Sequence, residues 1–514
     1  MAEAHNVICR LCDTGDVTDT RPRESRPGLG PPALTAAEIA AATGGRLVRP
    51  SSRPIRGAAV DSRAVAPGNL FVALPGETTD GHRFLGDAIA AGAAALLVRE
   101  ADWSAGAGID MAVASVADAA IVTVPDTLLG LHAVATAWRA RFSPLVVGVT
   151  GSIAKTSTKE AIAAVLAERF VTLKSEGNAN NEIGLPLTVL RMGPEHEAAV
   201  LEMGMYVGGE IAQLTAIARP RIGVVTAVRE VHLSRIGSIG AVERAKAELV
   251  EALPADGTAI LNADDARAAG MRARTSARTI TYGFATQADV RAQDVASAGL
   301  DGMRFTLIAP GGAVRVSTPA LGRHGVHNGL AAAAVGVAAG LDLDRIASGL
   351  RHGWQAEHRD QIVRIPGLTV LDDTYNASPA SMLAALELLS TLPGRHVAVL
   401  GEMLELGETH ERGHLDVGAA AAQVVDQLIV VGDGAAGIAA GAARLGQGVV
   451  LVPDRETALA VLRHRLRPGD TVLVKASRGA ALEQVVDSLE RGFASWIADT
   501  EAQGGAHPTD EEVR

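Results

Sequence analysis

The sequence predicts an α/β protein of three domains: a small N-terminal α/β domain, a central parallel-sheet domain that opens on a phosphate loop, and a C-terminal doubly wound, Rossmann-like domain. Three observations point there. The chain has 514 residues, enough for about three domains at ~150 residues each. Short apolar runs of buried-strand type alternate with helix-length segments along most of it, the pattern of parallel sheets covered by helices. One strand-like run, "PLVVGVT" at 144–150, leads through a Gly/Ser-rich loop into a Lys-Thr pair and the helical pattern "TKEAIAAVLAERF".

In chain order, residues 1–32 form a polar leader ending in "RPGLGPP". Such a composition cannot bury a core, so a disordered leader is expected. Cys9 and Cys12, the chain's two cysteines, form a lone CxxC in it. One CxxC can hold half a zinc site or a redox pair, but no second pair exists, and a functional metal is not the expected reading. Residues 33–141 alternate β-like runs ("LFVAL", "AALLV", "AIVTV") with helical stretches ("TAAEIAAAT", "FLGDAIAAGA"), a small α/β domain. Residues 142–353 contain "PLVVGVT", "AAVLEM", "RIGVVTAV" and "GTAILN", which argue for a parallel sheet. The helical stretch "NGLAAAAVGVAAGLDLDRIASGL" leads to the third unit, 354–498. Its strands are "LTVLDD", "HVAVLGE", "QLIVVGD", "GVVLVP" and "TVLVKAS", a doubly wound pattern. Residues 499–514 read as a frayed tail.

Bulk properties narrow the function. A hydrophobic fraction of 48% with 20% charged residues describes an ordinary soluble globular protein. A net charge of −11 offers no broad basic field for nucleic acid. No apolar run reaches the ~18 residues of a membrane span, and the N-terminus lacks a signal-type apolar core. A cytoplasmic protein is expected.

The stretch "GVTGSIAKTSTKE", residues 148–160, carries the first chemistry. A strand–loop–helix unit sets backbone N–H groups and a helix N-terminus against phosphates. Gly148 and Gly151 are expected to allow tight turns. Lys155 can reach the outer phosphates, and the Thr156 hydroxyl can bind Mg²⁺. The spacing departs from a strict phosphate-loop pattern, with Val149 and Ala154 at the odd positions, and a Gly/Ser-rich βα turn without nucleotide is the rival reading. An alanine at 154 is harmless with a helical φ and costs about 1–2 kcal/mol in a left-handed conformation. Such a cost would weaken nucleotide binding by about tenfold rather than eliminate it.

GxTGSxxKTxxKE resembles the loop of the Mur ligases, ATP-dependent amide-bond-forming enzymes of peptidoglycan synthesis, which normally carry a third glycine where this chain has Ala154. The resemblance runs from about residue 33 to 495. "VDSRAVAPGNLFVALPGETTDGHRF" resembles the segment that holds the uridine-nucleotide sugar in that family, and implies that Ser62 and Arg63 bind it. "SEGNANNEIGLP" resembles GNxNNxIGxP and implicates Asn180 and Asn181 in substrate binding. "LEMGM" resembles the strand end whose glutamate, here Glu202, binds Mg²⁺. "DDTYNASPASM", with Tyr375 and Asn376, and "GEMLELG" resemble the branch that adds a D-alanyl-D-alanine dipeptide. His232 and Lys246 keep the family spacing at which the lysine is carbamylated. A carbamate is an anionic oxygen ligand suited to Mg²⁺. On sequence alone, Lys246 reads as a lysine on a solvated helix face.

The resemblance implies an ATP site built from Gly151, Ser152, Ala154, Lys155, Thr156, Ser157, Asn328, Arg359 and Asp373, and metal ligands Thr156, Glu202, His232 and Lys246 for two Mg²⁺. Lys155, His232 and Lys246 would be catalytic. Taken alone, Asn328 can cap a helix and Asp373 can end a strand. "KASRG", with Lys475 and Arg478, resembles KGSRG. Ala227, Arg229, Gly325 and Ala476 are departures from the family pattern, and Arg229 can assist or obstruct the phosphates. The implied reaction uses ATP to phosphorylate the terminal carboxylate of a UDP-N-acetylmuramoyl-tripeptide, which the amine of D-Ala-D-Ala then attacks. A monomer without nucleic-acid or membrane partners is expected. The rivals are another amino-acid ligase of the same superfamily and a non-catalytic paralogue that binds the precursor.

Overall fold

The computed structural model describes residues 32–76, 79–104, 118–229, 236–443 and 449–502. The leader with Cys9 and Cys12, the segment with His232, and the tail from residue 503 lie outside the described residues.

Three sheets carry the α/β fold. The first has the strand order Arg46–Arg49, Ala120–Val124, Ala95–Arg99, Leu70–Val72, Ala58–Ala59, antiparallel at the first pair and parallel elsewhere. Strands Leu70–Val72 and Ala120–Val124 are buried along their whole length, and Ala95–Arg99 is buried up to Arg99, as continuous apolar runs require when helices cover both faces. Beside it His82 Nε2 accepts the Arg99 N–H at 2.9 Å, and Arg99 pairs with Asp102, so this His/Asp cluster satisfies itself.

Helix Thr127–Arg139, capped by Asp126, seats the first domain on the second. Trp138 Nε1 donates to Met192 O at 2.9 Å and Arg139 Nε to Ala218 O at 2.8 Å. His132 Nε2 lies 2.6 Å from Glu182 O. One apolar core runs through the junction, from Leu70 and Leu131 to Leu185, Ile211 and Leu249.

The central sheet has nine strands in the order Gly312–Thr318, Met303–Ala309, Val290–Ser297, Arg278–Gly283, Thr258–Asn262, Ile222–Val225, Leu145–Thr150, Ala198–Glu202, Thr172–Lys174. Seven of these are parallel, as expected, and a hairpin extends the edge antiparallel through the Val290–Ser297 strand. The expected single helical stretch at 328–350 is two helices, Gly322–Ala338 and Leu343–His352. Gly340 turns left-handed at φ 75°, and Asp342 starts the second helix by accepting the Arg345 N–H.

The third sheet has the order Gln361–Ile365, Leu368–Asp372, Asp470–Lys475, His396–Gly401, Gln427–Val431, Val449–Val452, parallel except at the first pair. Alternate residues serve opposite layers. Ala398 and Leu400 pack with Met382, Val417 and Ile438, while Val397 and Val399 pack with Leu462, Val485 and Leu489. All five expected strands are present, and both faces are helix-covered. Among the described residues no helix is long and apolar enough to cross a membrane.

Candidate active site

The carboxyl ends of parallel strands are where open α/β sheets bind ligands, and the site residues gather there. Strand Leu145–Thr150 ends at Gly151, whose φ of 155° and closeness to Thr226 demand glycine. A Cβ there would stand 1.8 Å from Thr226 Oγ1. Gly148 corrects the expectation of a second turn glycine. It lies inside the strand, where a Cβ would meet Leu249 Cδ1 at 2.9 Å.

The loop is stitched to the end of the next strand. Ser152 N–H donates to Ala227 O at 2.8 Å, Ser152 Oγ meets Arg229 O at 3.0 Å, and Thr226 Oγ1 donates to Ile153 O at 2.6 Å. Ala227 thus acts through its backbone. The Arg229 guanidinium pairs with Asp265 and is held by it. Lys155 Nζ donates to Gly151 O at 2.8 Å, and Thr156 is buried in the first turn of helix Lys155–Ala167, with Ser157 beside it. That helix begins three residues before the periodic pattern indicated.

Ala154 has φ 64° and ψ 5° and caps this helix in the left-handed conformation. The strain belongs to the folded chain. Ala154→Gly should therefore stabilise the protein by about 1 kcal/mol, the left-handed cost less glycine's entropy. It should move the KM for ATP by no more than about tenfold. Thermal melting and steady-state kinetics measure both, and turnover found only in the glycine variant would mark the loop as disabled.

Glu202 ends the neighbouring strand, 1% exposed. Its Oε1 accepts the Asn180 Nδ2–H at 2.8 Å, and its Oε2 is buried with no partner among the described residues. Asn181 Oδ1 accepts the Gly184 N–H at 2.8 Å. Both asparagines line the cavity, yet their side chains brace Glu202 and the 184–189 helix. Lys246, on helix Ile239–Glu251, is 2% exposed and not on a solvated face. Burial, with Lys155 adding repulsion, pushes its amine well below the ordinary lysine range. Burial and Arg359 also lower Lys155, against the pull of Glu202. Gly151, Lys155, Glu202 and Lys246 share one cavity of about 320 Å³.

The third domain closes this cavity with Tyr375, Asn376, Arg359 and Arg478. The Arg359 guanidinium lies 4.0 Å from the centre of the Tyr375 ring, and its Nε is buried without a partner. A second cavity of about 200 Å³ lies along residues 152–157 and takes in His324, Asn328, Arg359, Asp360, Asp373 and Lys475. Asn328 is mid-helix, not a cap, and accepts the Thr158 hydroxyl at 3.1 Å. Gly325 leaves room beside Ala320 in an adjoining cavity, and Ala476 is fully buried. Ser62 and Arg63 stand apart from these cavities, in a turn where Arg63 pairs with Asp61 at 2.6 Å.

Sequence reasoning missed how closely Lys475 is bound to this site. It is 1% exposed, pairs with Asp373 and donates to Asn376 O at 2.9 Å. It also missed His324, 3.0 Å from Asp360, although this histidine opens the very stretch read for Asn328. Burial raises the Asp373 carboxyl from the ordinary 3.8 to about 6, despite Lys475. A raised carboxyl stabilises the fold at low pH and loses that contribution as pH climbs from 3.8 to about 6. The melting temperature of Asp373→Asn, taken relative to wild type, should therefore rise across that interval. A flat difference would show that Asp373 ionises normally.

Family models match the whole of this arrangement: the Mur ligase catalytic domain over 54–139, the Mur ligase middle domain over 149–336, and the Mur ligase, glutamate ligase domain over 358–478. The UDP-N-acetylmuramoyl-tripeptide–D-alanyl-D-alanine ligase of Mycobacterium tuberculosis is 38% identical over 496 residues, covering 89% of this chain and 97% of that protein. A crystal structure of MurF from Acinetobacter baumannii superposes with a TM-score of 0.80 at 29% identity, over 90% of this chain and all of that one. MurF ligase from Thermotoga maritima in complex with ADP gives 0.74 at 28%, over 86% of this chain and 98% of that one. On this agreement of sequence, fold and site, the chain belongs to the Mur ligase family, on its MurF branch.

Proposed function

We propose that this chain is an ATP-dependent, ADP-forming ligase that joins D-alanyl-D-alanine to UDP-N-acetylmuramoyl-tripeptide in peptidoglycan precursor synthesis. The observation that carries it is the meeting of Lys155, Lys246 and the unpartnered Glu202 Oε2 in one cavity closed by Arg359. In the first step a carboxylate oxygen of the tripeptide bonds to the γ-phosphorus, and the bond to ADP breaks. In the second the dipeptide amine bonds to the acyl carbon, loses a proton, and phosphate leaves. Such transfers are accelerated mainly by positioning and charge neutralisation. Lys155 supplies the positive charge at the phosphates, and Arg359, Asn328 and Asp373 hold the nucleotide between domains.

An orphaned buried carboxylate oxygen fits a hard cation. Glu202, with a carbamylated Lys246 and His232, would hold one Mg²⁺, and Thr156 a second; bound there, the ions supply further charge neutralisation. Carbamylation suits Lys246 because CO₂ adds to a neutral amine, forming the N–C bond with loss of one proton, and burial weakens this amine's hold on its proton. The same proposal sets the domains at 33–141, 142–353 and 354–498, gives the uridine nucleotide to Ser62 and Arg63, and takes the protein as a cytoplasmic monomer. Phosphate release should require ATP, Mg²⁺, the UDP-tripeptide and D-Ala-D-Ala together. Release triggered instead by a single amino acid, or none with any amine, would overturn the reading.

A further inference from the structure

Only five of the chain's 47 basic residues are lysines. Lys155, Lys246 and Lys475 line the two cavities of the site, and the half-exposed Lys174 pairs with Glu160. Lys159 has no place in the reaction described so far. It lies one turn beyond Lys155 on the same face of helix Lys155–Ala167, it is not among the residues lining either cavity, and its side chain is 0% exposed. A buried ammonium is costly unless its partners are in place, so those partners define what it does. Glu160 Oε1 stands 2.9 Å from its Nζ, and Nζ donates to Ser175 O at 2.7 Å.

The second contact alters the sheet. Strands Thr172–Lys174 and Ala198–Glu202 run parallel, with Lys174 opposite Val200. Ser175 continues that ladder by donating its N–H to Val200 O at 3.0 Å. The next bond of a regular parallel ladder would run from the Glu202 N–H to the Ser175 carbonyl. Lys159 holds that carbonyl, and the Glu202 N–H goes instead to Ser175 Oγ at 3.2 Å. The strand stops there, and the segment from Glu176 to Asn181 passes to the carboxyl end of the neighbouring strand. Asn180 O accepts the Gly204 N–H at 2.7 Å, and Asn180 Nδ2 donates to Glu202 Oε1 at 2.8 Å. Glu202 is thus held at its backbone by Ser175 and at one carboxylate oxygen by Asn180, which leaves Oε2 for a cation.

We propose that Lys159 is a positioning residue of the reaction: by holding the Ser175 carbonyl out of the ladder, it fixes the turn through which Ser175 and Asn180 aim Glu202 at the metal. This rests on the metal site proposed above. The test uses the purified full chain in bicarbonate buffer, as wild type, Lys159→Met, Ser175→Ala and Glu202→Gln. Mn²⁺ stands in for Mg²⁺, and electron paramagnetic resonance reads the free ion during titration. Calorimetry in EDTA reads the binding of metal-free ATP. Methionine fills the space of the lysine and leaves Glu160 paired with Lys174, while the freed Ser175 carbonyl can take the Glu202 N–H. Lys159→Met and Ser175→Ala should each raise the Kd for Mn²⁺ by about ten- to a hundredfold, the worth of a group that orients a metal ligand, and Glu202→Gln should raise it further. All three should bind metal-free ATP as wild type does, because Lys155 and its loop are untouched. An ion pair that serves only the fold would lower the melting temperature and leave the Mn²⁺ Kd alone. An unchanged Mn²⁺ Kd in either variant, or equal losses of Mn²⁺ and ATP affinity, would overturn the assignment. Where Lys159→Met does not fold, Ser175→Ala decides by itself. Wild type that binds Mn²⁺ no tighter than Glu202→Gln would instead sink the metal site, and this inference with it, while phosphate release still judges the ligase reaction.

Discussion

Lys246→Ala is expected to lower kcat by about a thousandfold or more, the scale on which preorganised charge at a reacting phosphate acts, while leaving the fold intact. The lysine is buried in helix Ile239–Glu251 with no carboxylate partner among the described residues. Burying a lysine here requires it to give up the proton it holds in the unfolded chain, which disfavours folding, so alanine should melt no lower than wild type despite the lost methylenes. Catalysis and stability then move separately, which a structural lysine would not allow. Short carboxylic acids, entering the space left by the side chain, should restore part of the turnover. Wild type incubated with ¹³C-bicarbonate should give a carbamate signal that the variant lacks. A fully active enzyme with an unmodified Lys246 would end this account.

Lys155→Ala should lose as much, about a thousandfold in kcat/KM, and for two reasons. Its ammonium, now donating to Gly151 O, is the cation of the phosphate loop. Among the neighbours, burial pushes the Lys246 amine well below the ordinary lysine range and Arg359 lies against Tyr375, so neither replaces it. Lys155 also repels a proton from Lys246. Removing it lets the Lys246 amine hold a proton at higher pH, and a protonated amine does not take up CO₂. The two lysines therefore act as a unit, and the double variant should be little worse than either single one. Additive losses in kcat/KM would show that they work independently.

Much of this was legible in the chain. Continuous apolar runs marked the strands of the third sheet's parallel part, because both faces are buried except at the edge strand Val449–Val452, where Leu451 is exposed. The hairpin Met303–Thr318 was missed although its burial alternates with period two and "PGG" marks its turn. There the signal is alternation along an edge hairpin rather than a continuous apolar run. The core shared by the first two domains left no such mark, since helix Thr127–Arg139 reads as an ordinary amphipathic helix whichever partner it packs against. The site was legible where residues are close in sequence, as with Lys155 and Thr156. It was not where partners are distant: Arg229 meets Asp265, and Lys475 meets Asp373 102 positions away. The left-handed φ of Ala154 has no signature in residue type at all, because alanine is the residue that normally avoids it.

The seat of the first domain on the second has a consequence for substrate length. Trp138 and Arg139 bond to backbone carbonyls of the central domain, and His132 reaches Glu182, which lines the Lys155 cavity. If the uridine end of the substrate rests on Ser62 and Arg63, the distance from that end to the phosphate loop is set by packed helices rather than by a hinge. The two domains then work as a fixed-jaw caliper. A nucleotide-linked peptide one residue short leaves its carboxylate about 3.5 Å from the γ-phosphate it must reach, and one residue too long crowds it, so the chain measures the peptide before it reacts with it.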